Sequence, residues 1–166
     1  MYEIAVLTLF PLLAVLAAVT DLARMTIPNW LSMGLIAGFA ILAPFSGMDM
    51  TLAGWHIATG LGLLVVTFSL FSMGWIGGGD AKYAAAIALW FGWPATLEFL
   101  LISALFGGAL TIAIVAFRKM PLPQLAYNQE WITRLHDPKN GAPYGVALSC
   151  GALYVFPNTV WMSTIL

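Results

Sequence analysis

Two aspartates stand out because each lies at one end of a hydrophobic run. Asp21 follows the apolar stretch near the N-terminus, and Asp80 directly follows Gly77, Gly78 and Gly79. An ionisable group at membrane depth is costly, so its presence there indicates function by default. Two carboxyl groups can hydrolyse an amide by holding one water between them. The ionised group takes a proton from the water, while the protonated group polarises the carbonyl and later protonates the leaving nitrogen.

The three glycines before Asp80 have two interpretations. Glycine permits positive φ and adds no side-chain bulk, so a polypeptide substrate could approach the backbone beside Asp80 closely. Alternatively, the segment is a flexible turn in which Asp80 caps the next helix. A phosphate-binding loop is excluded, because that motif needs Lys directly after its last glycine, and Asp80 follows Gly79 here.

The helix ends that carry the aspartates suggest how the two roles divide. Asp80 lies at the N-terminus of a predicted helix, where the macrodipole favours a carboxylate, and Asp21 lies at a C-terminus, where it disfavours one. We therefore expect Asp80 to be the resting base and Asp21 the resting acid. A coupled pair resists a clean assignment, however, because the two groups titrate together.

The composition indicates that lipid surrounds the elements carrying these residues. Of the 166 residues, 61% are hydrophobic and only 8% are charged, whereas about 25% are charged in a typical soluble domain. The length predicts one domain, residues 1–166. Nucleic acid is excluded as a partner because no basic stripe exists. Cys150 is the only cysteine, which excludes a disulfide or a thiolate metal site within the chain.

The hydrophobic runs predict an all-α, polytopic membrane protein with six transmembrane helices. A helix needs about 20 apolar residues to cross roughly 30 Å of hydrocarbon. The runs are residues 4–20, 27–45, 52–76, 83–117 (divided in two at Gly92-Trp93-Pro94) and 143–165. Five spans, with residues 83–117 as one kinked helix, are the alternative. Since Met1-Tyr2-Glu3 has no basic residue, we expect the first run to be a span and not a cleaved signal.

The basic residues predict the orientation in the membrane. Arg24 follows the first run, Lys82 opens the fourth, and the other four lie in the only long loop, at about residues 118–142. Six spans put all of them on one side, which the positive-inside rule makes cytosolic, whereas five spans would divide them. Both termini then face outward. In the loop, Trp131, Ile132 and Leu135 share a face at helical spacing. A short interfacial helix and an ordinary loop both fit that spacing.

Together, these motifs resemble those of a known family. They are Asp21 with Arg24, then Ile27-Pro28-Asn29, then Gly77-Gly78-Gly79-Asp80-Ala81-Lys82, and finally Pro143-Tyr144-Gly145 at the start of the last span. The set is similar to that of the type IV prepilin peptidases, which are GxGD-type aspartic proteases. Its size and single-domain character resemble the small, peptidase-only members linked to Flp-type (tight-adherence) pili.

The resemblance implies that Asp21 and Asp80 are the catalytic pair. It also implies that the chain removes the short basic leader of a prepilin or pseudopilin, just before the hydrophobic segment, on the cytosolic side of the cytoplasmic (inner) membrane. Pilus-assembly machinery is a further implied partner, and family members need no metal or organic cofactor. Larger members also N-methylate the new terminus and carry an insertion with paired cysteines. Because the Asp21–Pro28 connection is too short for that insertion, we expect no methyltransferase activity.

Four residues near the motifs are candidates for substrate-binding or supporting roles. Lys82 orients the second aspartate, attracts a substrate carboxylate, or is a positive-inside anchor. Arg24 marks topology or belongs to the site. Asn29 donates a hydrogen bond near the first aspartate or simply begins a helix. Tyr144 lines the cleft or packs against another helix.

The main alternative is non-enzymatic: a small membrane transporter, or a subunit of a pilus or secretion assembly. Intramembrane aspartates also serve in proton relays. A transporter, however, would place its ionisable groups near the midplane, on broken helices in repeated halves. The chain shows no such repeat, and both aspartates lie toward one face, which favours the peptidase.

Overall fold

A computed structural model describes residues 2–123 and 128–163, and within those ranges every regular element is helical. The helices are α1 (Tyr2–Arg24), α2 (Asn29–Leu42), α3 (Met50–Ser72), α4 (Gly78–Phe91), α5 (Ala95–Arg118), α6 (Glu130–His136), α7 (Tyr144–Val155) and α8 (Val160–Ser163). Short 3-10 turns, Ala43–Phe45 and Phe156–Asn158, follow α2 and α7. The all-α prediction is confirmed.

Among the described helices, three are each long and apolar enough to cross a membrane, namely α1, α3 and α5. α1 and α3 have 23 residues each and α5 has 24, which corresponds to roughly 35 Å at the helical rise. These lengths identify a membrane protein. The count of six spans, the outward termini and the single peptidase domain remain predictions, and Met1 lies outside the described residues.

The predicted break in residues 83–117 is confirmed. α4 ends at Phe91, and Gly92 follows with a φ of 61°, where a side chain would be strained. The imidazole of His56 packs against the same glycine, because an added Cβ there would lie 2.8 Å from the ring. Pro94 then precedes α5. Only glycine fits at this reversal, because a side chain at Gly92 would be strained by the positive φ and would clash with His56.

Two predicted spans differ from the observed helices. The run 52–76 corresponds to α3, which already ends at Ser72 and is followed by Gly74 with a φ of 76°. The last predicted span, residues 143–165, is not one helix. α7 ends at Val155 because Pro157, in the following turn, lacks a backbone N–H. The end of that predicted span, Ile165, lies outside the described residues.

The long loop contains a helix, as the spacing of its apolar residues allowed. α6 covers Glu130–His136, so the interpretation as an ordinary loop was wrong. Arg134 in α6 donates from Nη1 to the carbonyl oxygen of Ala23 at 3.1 Å. α6 therefore packs against the end of α1. Residues 124–127 of the predicted 118–142 loop lie outside the described residues, and the interfacial position of α6 remains a prediction.

α4 is the central helix of the bundle. Nine of its 14 residues are buried, and it packs against α2, α3, α5 and α7. Many of its buried residues are alanines, and small side chains let neighbouring backbones approach closely in membrane proteins. On α3, Gly60 allows the same close approach, since an added Cβ there would lie only 3.1 Å from Cβ of Leu89 in α4. A helix of only 14 residues is thus held by its neighbours on most sides.

Tryptophans fix the end of α4 that carries Phe91. The indole N–H of Trp90 donates to the carbonyl oxygen of Leu35 at 2.8 Å, and that of Trp161 donates to the carbonyl oxygen of Trp90 at 2.6 Å. The ring of Phe10 packs on Trp90 with centroids 5.2 Å apart. This cluster ties α1, α2 and α8 to the C-terminal end of α4.

Replacing Trp90 with alanine should lower the free energy of unfolding by about 3–5 kcal/mol, because a large buried ring leaves a cavity. Trp30 is 54% exposed, so Trp30→Ala should change the free energy of unfolding by roughly 0.5 kcal/mol or less. Denaturation of both purified variants in detergent measures the difference. Equal losses in the two variants would contradict the central position of Trp90.

Candidate active site

The motif residues come from four segments that meet at one end of the bundle. Asp21 lies in the last turn of α1, Asp80 in the first turn of α4, and Gly145 in the first turn of α7. The connection between α1 and α2 is only four residues long, Met25 to Pro28, and passes between these helix ends. Because the residues lie in the first or last turns of helices, the site forms only if each helix begins or ends at the right residue.

α1 terminates three residues after the first aspartate. Met25 has a φ of 55°, the left-handed conformation that commonly ends a helix, and its N–H donates to the carbonyl oxygen of Asp21 at 2.7 Å. Pro28 then precedes α2 with an extended backbone. The chain therefore turns back within a few residues and leaves Asp21 at the helix end.

Asp21 is buried, with 4% of its surface exposed, and its carboxyl group is held by the backbone of α7. The N–H of Gly145 donates to Oδ2 at 2.7 Å, and the N–H of Val146 also bonds this carboxyl group. These are among the N–H groups that the first turn of a helix leaves without a helical partner. Asp21 thus faces the positive end of α7 as well as the negative end of α1, so the macrodipole argument no longer distinguishes the two aspartates.

Asp80 is the third residue of α4 and accepts a hydrogen bond from the N–H of Gly77, the residue before the helix. This is the return bond of a capping box, in which the third residue reaches back to the N-cap. Asp80 thus helps to cap α4, but Gly78 and Gly79 before it are helical and do not form the flexible turn of that interpretation. Capping does not exclude catalysis, because a carboxyl group that accepts one N–H keeps further acceptor capacity.

The three glycines do not adopt the positive φ that glycine permits. Gly77 has a φ of −72°, and Gly78 and Gly79 are helical. Their lack of side chains serves close packing instead. A Cβ on Gly78 would lie 3.1 Å from the ring of Phe71, and one on Gly79 would lie 3.4 Å from the carbonyl oxygen of Ile27.

Ile27 connects the surroundings of the two aspartates. It is buried, and its backbone packs against Gly79, one residue before Asp80. Its Cδ1 lies 2.5 Å from the position of a Cβ on Gly145, whose N–H binds Asp21. The two aspartates are close enough to interact electrostatically. For Gly145 the sequence suggested that it lines the cleft or packs against another helix, but it indicated no role for Ile27, which acts through contacts between distant segments.

Two of the predicted supporting residues pair with each other. Nζ of Lys82 donates to Oδ1 of Asn29 at 3.2 Å, which joins the starts of α4 and α2. Within the described ranges, no hydrogen bond or ion pair connects Lys82 or Asn29 to either aspartate. Among the described residues, the two side chains therefore bond each other and not the aspartates.

The other two supporting candidates make contacts elsewhere. Arg24 is exposed and lines an open surface cavity of about 620 Å³ together with residues of α6 such as Glu130 and Arg134. The ring of Tyr144 packs across Gly107 of α5, which is the helix-packing role. In the part of the chain that the structure describes, no group of three or more His, Cys, Asp or Glu side chains is arranged to hold a metal ion.

Comparison with protein families gives one match. A model of the type IV leader peptidase family matches residues 8–112, which is more than half of the chain. The matched region includes both aspartates and ends before α7. Comparison with curated proteins and with solved structures gave no significant match.

Gly145→Ala should destabilise the protein by about 1–3 kcal/mol, because the extra methyl group overpacks a filled site. Its Cβ would lie 2.8 Å from Oδ2 of Asp21 and 2.5 Å from Cδ1 of Ile27. Gly141 has nothing within 4 Å of such a Cβ, so Gly141→Ala is the matched control and should unfold like the wild type. Thermal unfolding in detergent compares them, and a Gly145→Ala variant as stable as Gly141→Ala would refute the close packing.

Proposed function

The chain belongs to the type IV leader peptidase family, and we propose that it is an aspartic endopeptidase that removes the leader of type IV prepilins with Asp21 and Asp80. Membership implies a protease and favours this activity over the transporter and assembly-subunit alternatives. The catalytic assignment is supported by one observation. Ile27 packs against both Gly79 and Gly145, and the two aspartates beside these glycines are close enough to interact.

The proposed reaction uses one water held by both carboxyl groups. The ionised carboxylate takes a proton from the water as its oxygen attacks the peptide carbonyl carbon, and the protonated carboxyl group donates a hydrogen bond to the carbonyl oxygen. The tetrahedral intermediate then collapses, the C–N bond breaks, and the nitrogen takes a proton from the acid. The products are a new carboxyl terminus on the leader and a new amine on the mature chain.

The surroundings of the aspartates support a shared proton. In the described residues, no Lys, Arg or His is bonded to Asp21 or Asp80, and their nearest polar partners are backbone N–H groups. A cation would hold one carboxylate permanently ionised. Without one, two neighbouring carboxyl groups favour a single shared charge, which is the state that this mechanism needs. Either aspartate can begin as the acid.

We infer that the site faces the cytosol at the inner membrane. Arg24 lies three residues after Asp21 and Lys82 two residues after Asp80, and the positive-inside rule assigns such basic residues to the cytosolic side. Prepilins of the Flp type are the proposed substrates, because the chain resembles the small members that serve those pili. The bilayer and the prepilin are then the partners of the site, with pilus-assembly machinery as a further one.

Asp21→Asn and Asp80→Asn should each reduce leader cleavage by at least about 100-fold, since acid–base groups contribute at least that much to the rate. Asparagine keeps an oxygen that can accept the N–H of Gly77 or Gly145, so helix capping survives while proton transfer is lost. Asp49, which caps α3 by accepting the N–H of Leu52 at 2.6 Å, provides the control Asp49→Asn. Processing is measured by the mobility shift of a co-expressed prepilin, with membrane levels of each variant determined in parallel. Undiminished cleavage by either site variant would end the two-aspartate proposal.

The mature substrate should carry an unmethylated N-terminus. Only four residues, Met25 to Pro28, connect α1 to α2, which leaves no room at that place for the insertion of the bifunctional members. Mass spectrometry of the processed substrate, after incubation with and without a methyl donor, should show the same mass. A donor-dependent increase by one methyl group would contradict this expectation.

A further inference from the structure

The loop between α5 and α7 is fastened by one arginine. Arg118, the last residue of α5, is half-buried, and its guanidinium group donates to three backbone carbonyl oxygens of that loop. Nε donates to Leu135 at 2.9 Å, and Nη2 donates to Asn140 at 2.8 Å and to Gly141 at 3.0 Å. Within the described residues, the group has no carboxylate partner. Its charge therefore serves the backbone of the loop, and charge-assisted bonds of this kind are stronger than neutral ones.

The three acceptors belong to two different parts of the loop. Leu135 lies in the last turn of α6, where carbonyl groups have no helical partner. Asn140 and Gly141 lie in the chain that leads to α7. Because the planar guanidinium group presents its donors in a fixed fork, one side chain sets the spacing of both parts. The side chain of Asn140 adds a second link, since Nδ2 donates to the carbonyl oxygen of Arg134 at 2.8 Å.

His136 holds the end of α6 against the same end of α5. Its Nε2 lies 2.9 Å from the carbonyl oxygen of Met120, and its ring packs edge-on against Phe117 with centroids 5.3 Å apart. Side chains therefore connect the two helix ends in both directions, from Arg118 of α5 to α6 and from His136 of α6 to the chain after α5. The end of α5 is thus a fixed base for the loop.

The fastened segment leads directly to the first aspartate. Gly141 is only four residues before Gly145, whose N–H donates to Oδ2 of Asp21. Between the two glycines, Pro143 is fully buried and has a φ of −71°. Since the proline ring locks this dihedral angle, the connection has little freedom. Displacing Gly141 would therefore move the first turn of α7 relative to Asp21.

We propose that Arg118 is a positioning residue for the catalytic pair: it fixes the chain before α7 and thereby the bond between Gly145 and Asp21. The proposal rests on the proposed leader-peptidase function. In the part of the chain that the structure describes, Arg118 makes no hydrogen bond or ion pair with either aspartate, so it acts through α7. The competing role is that of a positive-inside anchor, for which any cation at this position would serve.

Arg118→Lys separates the two roles, because lysine keeps the charge but loses the fork of donors. A small misplacement of a catalytic group is costly, so kcat for prepilin cleavage should fall by at least about tenfold. KM should stay unchanged, because the affected bond acts on an aspartate and not on the substrate. Lys119 is exposed and its side chain makes no hydrogen bond or ion pair among the described residues. Lys119→Met, which removes the neighbouring charge, should therefore match the wild type.

Amide hydrogen exchange at Gly145 measures the effect beside the aspartate and does not depend on activity. In purified Arg118→Lys, the N–H of Gly145 should exchange at least about tenfold faster than in the wild type, since its bond to Asp21 opens more often. The N–H of Gly92 donates to the carbonyl oxygen of Ala88 at the other end of α4, and it should exchange at the wild-type rate. Equal acceleration at both glycines would indicate general destabilisation and would overturn the positioning role, as would an unchanged rate at Gly145.

The outcomes separate this proposal from the proposed function. Normal cleavage by the wild type together with an undiminished kcat for Arg118→Lys would overturn the positioning role and leave Arg118 as an anchor. Failure of the wild type to cleave a prepilin would instead contradict the leader-peptidase function, and the exchange rate of Gly145 would still decide whether Arg118 holds α7 in place.

Discussion

The packing of Ile27 between Gly79 and Gly145 is the contact on which the proposed site depends. Ile27 contacts Gly79 with its backbone and Gly145 with its side chain, and so it spaces the segments that carry the two aspartates. It requires glycine on the Gly145 side, since a Cβ there would occupy the space of the Ile27 side chain and of the Asp21 carboxyl group. Since packed interiors resist small changes in volume, this arrangement restricts how far the ends of α4 and α7 can shift.

α4 serves two purposes with few residues. Its first turn holds Asp80, and its alanine-rich sides accept close neighbours, so the helix is buried although it is short. Trp90 and the aromatic rings around it hold the opposite end. One helix thereby fixes the position of a catalytic candidate, while another of its faces packs against α2 and α3.

Much of the fold could be predicted from the sequence, because hydrophobic length and helix-breaking residues act locally. The break at Gly92 and Pro94 and the helix in the long loop follow from such signals. The bond from Gly145 to Asp21 could not be predicted, because it joins residues 124 apart in the chain. The backbone conformation of Gly78 and Gly79 could not be predicted, because glycine permits positive φ but does not require it, and the capping bond to Asp80 draws both glycines into the helix.

The most direct test of the two-aspartate mechanism is the separation of the carboxyl groups of Asp21 and Asp80 in an experimental structure with an uncleavable prepilin analogue bound. Our account predicts one water, or the oxygen that replaces it in the analogue, within hydrogen-bond distance of both groups, about 2.6–3.2 Å. Carboxyl groups directed to different surfaces, or separated by packed side chains with substrate in place, would contradict it.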